Sequence, residues 1–121
     1  MSDTEEIATE RTIAIVNARV WTGDDRRPWA DAVLVRGARI VGIGSSAEIR
    51  KRAGTSAVIV DARSMMVVPG ASAGRIATGF PANLIVVERA VDGVPAAPRD
   101  DEIVLALEEG AVVVDRDGMV S

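Results

Sequence analysis

From Thr12 onward the chain is built of short runs of β-branched aliphatics, broken by glycine, proline or charge every 8 to 12 residues. Thr12–Val16 and Arg19–Trp21 read as strands on either side of a polar Asn17-Ala18 step, and a turn cluster follows from Gly23 to Pro28. Ala32–Arg36 and Arg39–Ile43 flank Gly37-Ala38, a two-residue spacing that predicts a tight hairpin with Gly37 at positive φ. One segment has a helical pattern instead. Ser45 to Ala53 offers serine N-caps, helix-compatible residues and Gly54 as a stop. Ala57–Asp61, Met65–Val68, Asn83–Val87, Ile103–Leu107 and Ala111–Val114 complete the predicted strands, with Met119-Val120 after an Asp117-Gly118 turn. Asp92 to Asp101, with Gly93, Pro95 and Pro98, reads as a loop. Many short strands and one helix predict an all-β fold: a β-sandwich or open barrel of mostly antiparallel strands.

Composition supports a folded domain. Hydrophobic residues make up 48% of the 121, and Val (18) and Ile (10) favour pleated strands because χ1 restriction costs them little there. The length suits one domain. Residues 1–11 read as a polar, disordered tail, and residues 12–121 as a single composite domain with no internal repeat. The net charge of −4 has no basic cluster behind it, which argues against nucleic-acid or membrane-surface partners. No apolar run approaches the about 20 residues of a membrane span. The acidic start is unlike a signal or transit peptide, so a cytoplasmic location is expected.

The chemical inventory is poor. Histidine, cysteine and tyrosine are absent, which excludes Ser-His and Cys-His nucleophiles, imidazole or thiolate zinc sites, and disulfides. Carboxylates, hydroxyls, arginines and Lys51 remain. Asp115-Arg-Asp-Gly118 has the beginning of a calcium loop, but the glutamate such a loop needs at its twelfth position is not in the sequence; a hairpin turn is the simpler reading. Asp24-Asp25-Arg26-Arg27 and Arg99-Asp-Asp-Glu102 read as solvated loop charge, with weak divalent-cation contact as the alternative. Asp61, at the end of a strand beside Arg63, reads as a buried, paired carboxylate with a structural role. A carboxylate-only metal binder or enzyme would have to use Asp61, Asp100, Asp101 or Asp115. Trp21 and Trp29 read as packing residues before pocket residues, and Gly42-Ile-Gly44 lacks the later glycine of a dinucleotide fingerprint.

Two stretches carry a family resemblance. Ile15-Val-Asn-Ala-Arg-Val-Trp-Thr-Gly23, Trp29–Arg36, Gly37–Gly44 and Val60–Gly70 with its Pro-Gly end are similar to the opening of amidohydrolase-superfamily enzymes. Gly74-Arg-Ile-Ala-Thr-Gly79 and Pro81-Ala-Asn-Leu-Ile-Val-Val87 resemble their closing segment. The Trp-Thr-Gly and Trp-Ala-Asp-Ala features lean toward amidohydrolase family 3. What the resemblance implies is a small β-sandwich composed from both chain ends, 12–70 and 75–121. In such enzymes a metal-binding Asp-x-His-x-His motif follows the Pro-Gly and opens a (β/α)₈ barrel of about 250 residues. Here Ala71-Ser-Ala-Gly74 stands in its place as a joint. No catalytic, cofactor-binding or metal residue of the family has a matching position. The chain is therefore expected to be an isolated, non-catalytic sandwich whose barrel is missing, with no cofactor. The linker-like joint favours an engineered deletion over a natural one. The alternative is a natural assembly module that pairs with a separate barrel chain. A homodimer through the surface the barrel would have covered is also expected, with Trp21, Trp29 or Met65-Met66 as contacts and unpaired strand edges as a second route.

Overall fold

The computed structural model describes residues 11–70, 75–88, 102–116 and 118. Its strands are β1 (Thr12–Val16), β2 (Arg19–Trp21), β3 (Trp29–Ala30), β4 (Ala32–Arg36), β5 (Arg39–Gly44), β6 (Val58–Asp61), β7 (Met66–Pro69), β8 (Leu84–Val87), β9 (Ile103–Glu108) and β10 (Ala111–Asp115). The helix, α1, spans Ser46–Ala53 between β5 and β6. A four-stranded sheet has the order β5-β4-β1-β6, and a six-stranded sheet the order β10-β9-β8-β7-β2-β3. The all-β fold expected from the sequence is what the chain adopts. Both sheets are mixed, because β1 pairs with β6 in parallel and β2 pairs with β7 in parallel. The remaining pairings between these strands are antiparallel.

Alternation along the strands builds three apolar layers. Ile13, Ile15, Val33, Val35 and Val60 of the small sheet meet Val20, Val67, Leu84, Val86, Leu105 and Leu107 of the large one, and these form the shared core. The intervening residues Ala14, Val16, Ala32 and Leu34 point the other way, under Ile49 and Ala53 of α1. The outer face of the large sheet carries Met66, Val68 and Val87, flanked by Trp21, Trp29, Ile85 and Ile103.

The helix begins where its cap predicts. Ser45 has extended φ/ψ, and its hydroxyl accepts the Glu48 N–H at 3.2 Å. Gly54, at φ +82°, ends it. Arg50, Lys51 and Arg52 crowd the last turn, where the helix dipole favours positive charge.

Two hairpins follow from their turn residues. Gly37 alone takes positive φ (59°) in the β4–β5 turn, while Glu109 and Gly110 both do (49° and 82°) between β9 and β10. The strand β3 was not expected, because two residues leave no pattern to read. Residues 75–82, between the joint and β8, close the sandwich. Ile76 and Ala82 are fully buried in the shared core. Gly79 donates to the Ile40 carbonyl (2.8 Å), Ile40 donates to Phe80 (2.9 Å) and Ala82 donates to Ala38 (2.8 Å). The free side of β5 is thereby tied to the return segment.

Residues 1–10, the joint 71–74, the Asp92–Asp101 loop and Met119-Val120 lie outside the described residues. Arg11 of the expected tail does carry a contact: its carbonyl accepts the Gly37 N–H at 2.9 Å. Among the described residues, no helix is long and apolar enough to cross a membrane.

Candidate functional site

Three connections pass from one sheet to the other at a single corner. β1 runs into β2 through Asn17-Ala18, β3 into β4 through Asp31, and β6 into β7 through residues 62–65. Because β1/β6 and β2/β7 are both parallel pairs, two of these crossings run side by side. Hydrogen bonds continue across them: Ala62 N–H to Val16 (2.9 Å), Ser64 N–H to Asn17 (2.7 Å), Arg19 N–H to Met65 (3.0 Å) and Ala18 N–H to Asp31 (2.9 Å). Turning two strands at once strains the backbone. Asn17, Arg63 and Ser64 all have positive φ (55°, 51° and 69°), which asparagine tolerates better than most residues.

The corner encloses an open depression of about 570 Å³, lined by Asn17, Ala18, Arg19, Asp31, Ser46, Asp61, Arg63 and Ser64. Asp61 is its most connected carboxylate. One oxygen accepts the Arg63 N–H at 3.0 Å and the Asn17 side-chain amide at 3.2 Å. The Arg63 backbone N–H first, and the Asn17 amide second, hold the Asp61 carboxyl below its ordinary pKa. It is ionised at neutral pH and serves as an acceptor, bracing the turn from residue 61 to residue 63. The role is structural, but the expected burial is not found: Asp61 is exposed, and its hydrogen-bond partners are the Arg63 backbone and the Asn17 amide. The Asn17 N–H donates to the Ser46 hydroxyl at 2.8 Å, which ties the corner to the start of α1. The sequence signal for this site was Asp61 beside Arg63; Asn17 read only as a polar step between strands, and Asp31, Ser46 and Ser64 were not read as site residues.

A depressed folded pKa fixes the sign of a pH effect. The stability from Asp61 is fully present above the ordinary carboxylate pKa of ~3.9 and is lost as pH falls through the depressed folded value. Asp61→Asn is therefore expected to lower the thermal midpoint near neutral pH, with the gap to the unmodified chain closing in strong acid. A gap that stays constant across that range would show that ionised Asp61 contributes nothing.

The other sequence candidates fall into ordinary structural roles or outside the described residues. The Asp24 side chain accepts the Arg26 N–H at 3.0 Å, and its carbonyl accepts the Arg27 N–H at 3.1 Å, so it organises its own turn. Thr22, which the sequence did not single out, is the hub of that loop. It is fully buried, donates its hydroxyl to the Arg27 carbonyl, accepts the Asp24 N–H at 3.1 Å, and receives Ile76 N–H on its own carbonyl at 2.7 Å. Asp115 ends β10, and Gly118, at φ 67°, donates to its carbonyl at 3.4 Å. Arg99, Asp100 and Asp101 lie outside the described residues; the Glu102 carbonyl accepts Glu88 N–H at 3.0 Å. Among the described residues, no three acidic side chains converge in a metal-sized cluster.

Gly42 and Gly44 of β5 serve packing with α1. Their missing side chains leave room for the Arg52 guanidinium and the Glu48 carboxylate, and Arg52 donates to the Val41 carbonyl at 3.0 Å. Trp21 and Trp29 are cross-strand partners, edge-to-face at 5.1 Å and 62°, with the Arg19 guanidinium 5.1 Å from the Trp29 ring centre. Both are half-buried, in agreement with a packing role. Met65 and Met66 do not act as a pair: Met65 packs on the shared core, and Met66 is fully buried on the opposite face. Burial removes Met66 from the expected dimer contacts.

No protein-family model matches the chain. Sixty residues, 50% of this chain, are 43% identical to N-substituted formamide deformylase of Arthrobacter pascens and cover 11% of that enzyme. Among solved structures, enamidase, a member of the amidohydrolase superfamily, is 35% identical over 49% of this chain and 16% of its own, with a TM-score of 0.42. A metal-dependent hydrolase from Pyrococcus furiosus is 18% identical over 49% of this chain and 13% of its own, with a TM-score of 0.46. The similarity to amidohydrolases thus extends over about half of this chain and a small part of each relative.

Proposed function

We propose that this chain is the small, non-catalytic β-sandwich of an amidohydrolase-like, metal-dependent hydrolase of C–N bonds, separated from its (β/α)₈ barrel by an engineered deletion at residues 71–74. The observation that carries this reading is the uneven coverage of the deformylase: 43% identity over 60 residues, against 11% of that enzyme's length. The amino-acid inventory agrees, because a chain without histidine or cysteine cannot supply imidazole or thiolate ligands to zinc.

The fold supports an insertion point at the joint. β2 and β7 run in parallel with Val20 beside Val67, and at the end of β7 Pro69 stands opposite Leu84 while the Gly70 N–H donates to the Asn83 carbonyl at 2.8 Å. The Thr22 carbonyl receives the Ile76 N–H at 2.7 Å. The segments leaving and re-entering the sandwich are therefore close neighbours, as an inserted domain requires.

Incubating the purified chain with N-substituted formamides, with and without added zinc, tests the reading. The expected result is hydrolysis at the buffer rate and zinc well below one per chain. Turnover that follows the chain through purification, or one tightly held zinc, would overturn it. The parental coding sequence between Gly70 and Gly74 tests the deletion: a barrel encoded there is expected, and a separate barrel gene would make this chain an assembly module instead.

A further inference from the structure

Two open sheets have four edges, and an edge strand with free N–H and C=O groups is a template for another strand. Three of these edges are blunted. β5 is covered at its start, where Ile40 bonds Gly79 and Phe80 and the preceding Ala38 bonds Ala82, and the Arg52 guanidinium donates to its Val41 carbonyl. β3 is two residues long. β10 is bulged at Val113, since Val112 pairs with Leu107 and Val114 with Ala106, which breaks the spacing of its outward groups.

β6 has none of these protections. It pairs with β1 in unbroken register from Ile13↔Val58 to Val16↔Asp61, and the Ala62 N–H extends the ladder to Val16 at 2.9 Å. Alternate residues bond in a parallel pair, so Val58, Val60 and Ala62 face β1 while the backbone groups of Ile59 and Asp61 face outward. No strand among the described residues pairs with that side. No lysine, proline or bulge interrupts Ala57–Val60, and the Ile59 side chain is 39% exposed. Among the described residues, the helix packs mainly over β1, β4 and β5 rather than over β6.

We propose that the β6 edge is a self-association site, where β6 of a second copy adds antiparallel across a two-fold axis centred on Ile59. The sequence Ala57-Val-Ile-Val-Asp61 is nearly symmetric about that residue, and this favours a second copy over an unrelated strand. With Ile59 opposite Ile59, each Val58 faces a Val60 and each Asp61 faces an Ala57. Apolar residues meet apolar residues, and no like charges stand abreast. Each Ile59 N–H then meets the other copy's Ile59 carbonyl, and the outward groups of Asp61 meet those of Ala57. The small sheet becomes a continuous eight-stranded one. This inference is independent of the hydrolase reading, since it needs only the open edge.

Sedimentation equilibrium of the full chain tests the association, and concentration-dependent amide exchange locates it. The mass is expected to rise from the 12.7 kDa of one chain toward twice that value. The Ile59 and Asp61 amides should gain protection as the dimer fills, while Val58 and Val60 stay protected throughout. Ile59→Lys sets two ammonium groups side by side at the axis and is expected to weaken the dimer about tenfold or more, with the far-UV spectrum unchanged. Val113→Lys, on the bulged edge, should leave it intact. A constant single-chain mass up to high concentration overturns the proposal. So does a dimer in which the Ile59 amide stays exposed, or one that Trp29→Lys abolishes and Ile59→Lys leaves intact. The exchange readout uses the unmodified chain, so it decides the matter even if Ile59→Lys fails to fold.

Discussion

Replacing Gly110 with alanine is expected to destabilise the chain by about 3 kcal/mol, a large share of the roughly 5–15 kcal/mol available to a domain of this kind. Two costs fall on the same residue. Its φ of +82° lies in the left-handed region, which a Cβ makes unfavourable. The added carbon would also run into the Gly37 carbonyl, in the hairpin turn of the other sheet. That obstacle is backbone and cannot rotate aside. The two turns are held by the Gly110 N–H bond to Ala82 at 3.1 Å and the Ala82 N–H bond to Ala38 at 2.8 Å. Relief of the clash would have to pull the sheets apart at that end. Urea unfolding measures the effect; a loss below about 1 kcal/mol would mean that the turns do not meet as described.

Truncating Ile49 to alanine is expected to cost about 2–5 kcal/mol. Ile49 and Ala53 are the buried residues of α1, and Ile49 fills the space above Ala14, Val16, Ala32 and Leu34. An eight-residue helix does not persist in water on its own, so its seat on the sheet is what maintains it. The variant should lose helical far-UV signal at lower denaturant than the β signal. Loss of both signals together, with a stability change under about 1 kcal/mol, would show that Ile49 is not the anchor.

Local signals in the sequence located most elements. Thr12–Val16 and Arg19–Trp21 are strands with the limits their patterns predict, and Ser45, Gly54 and Gly37 act as cap, stop and turn. These features depend on neighbours within a few residues, which is the range over which a sequence is readable. Which strands share a sheet is set by contacts far apart in the chain, and that was not legible. Asn17-Ala18 read as a step between two strands, yet it is where the chain changes sheets, next to residues 61–64. Met65-Met66 read as one contact pair, whereas the two side chains face opposite ways and Met66 is buried. The candidate corner was half-legible: Asp61 stood out, but its partner Asn17 lies 44 residues away. The stitching role of residues 75–82 left no signal, because it runs through backbone groups that carry no residue identity.

The proposed function requires that one sandwich close around residues 71–74 whatever lies between its two parts. Inserting a long Gly/Ser segment, or a whole folded domain with neighbouring termini, between Ser72 and Ala73 tests it most directly. Loop-closure entropy rises by only about 0.6 kcal/mol per doubling of loop length. Urea unfolding of the sandwich should therefore keep its cooperative transition and lose no more than about 2 kcal/mol for a tenfold longer joint. A loss of several kcal/mol more, or a sandwich that no longer folds, would contradict the claim.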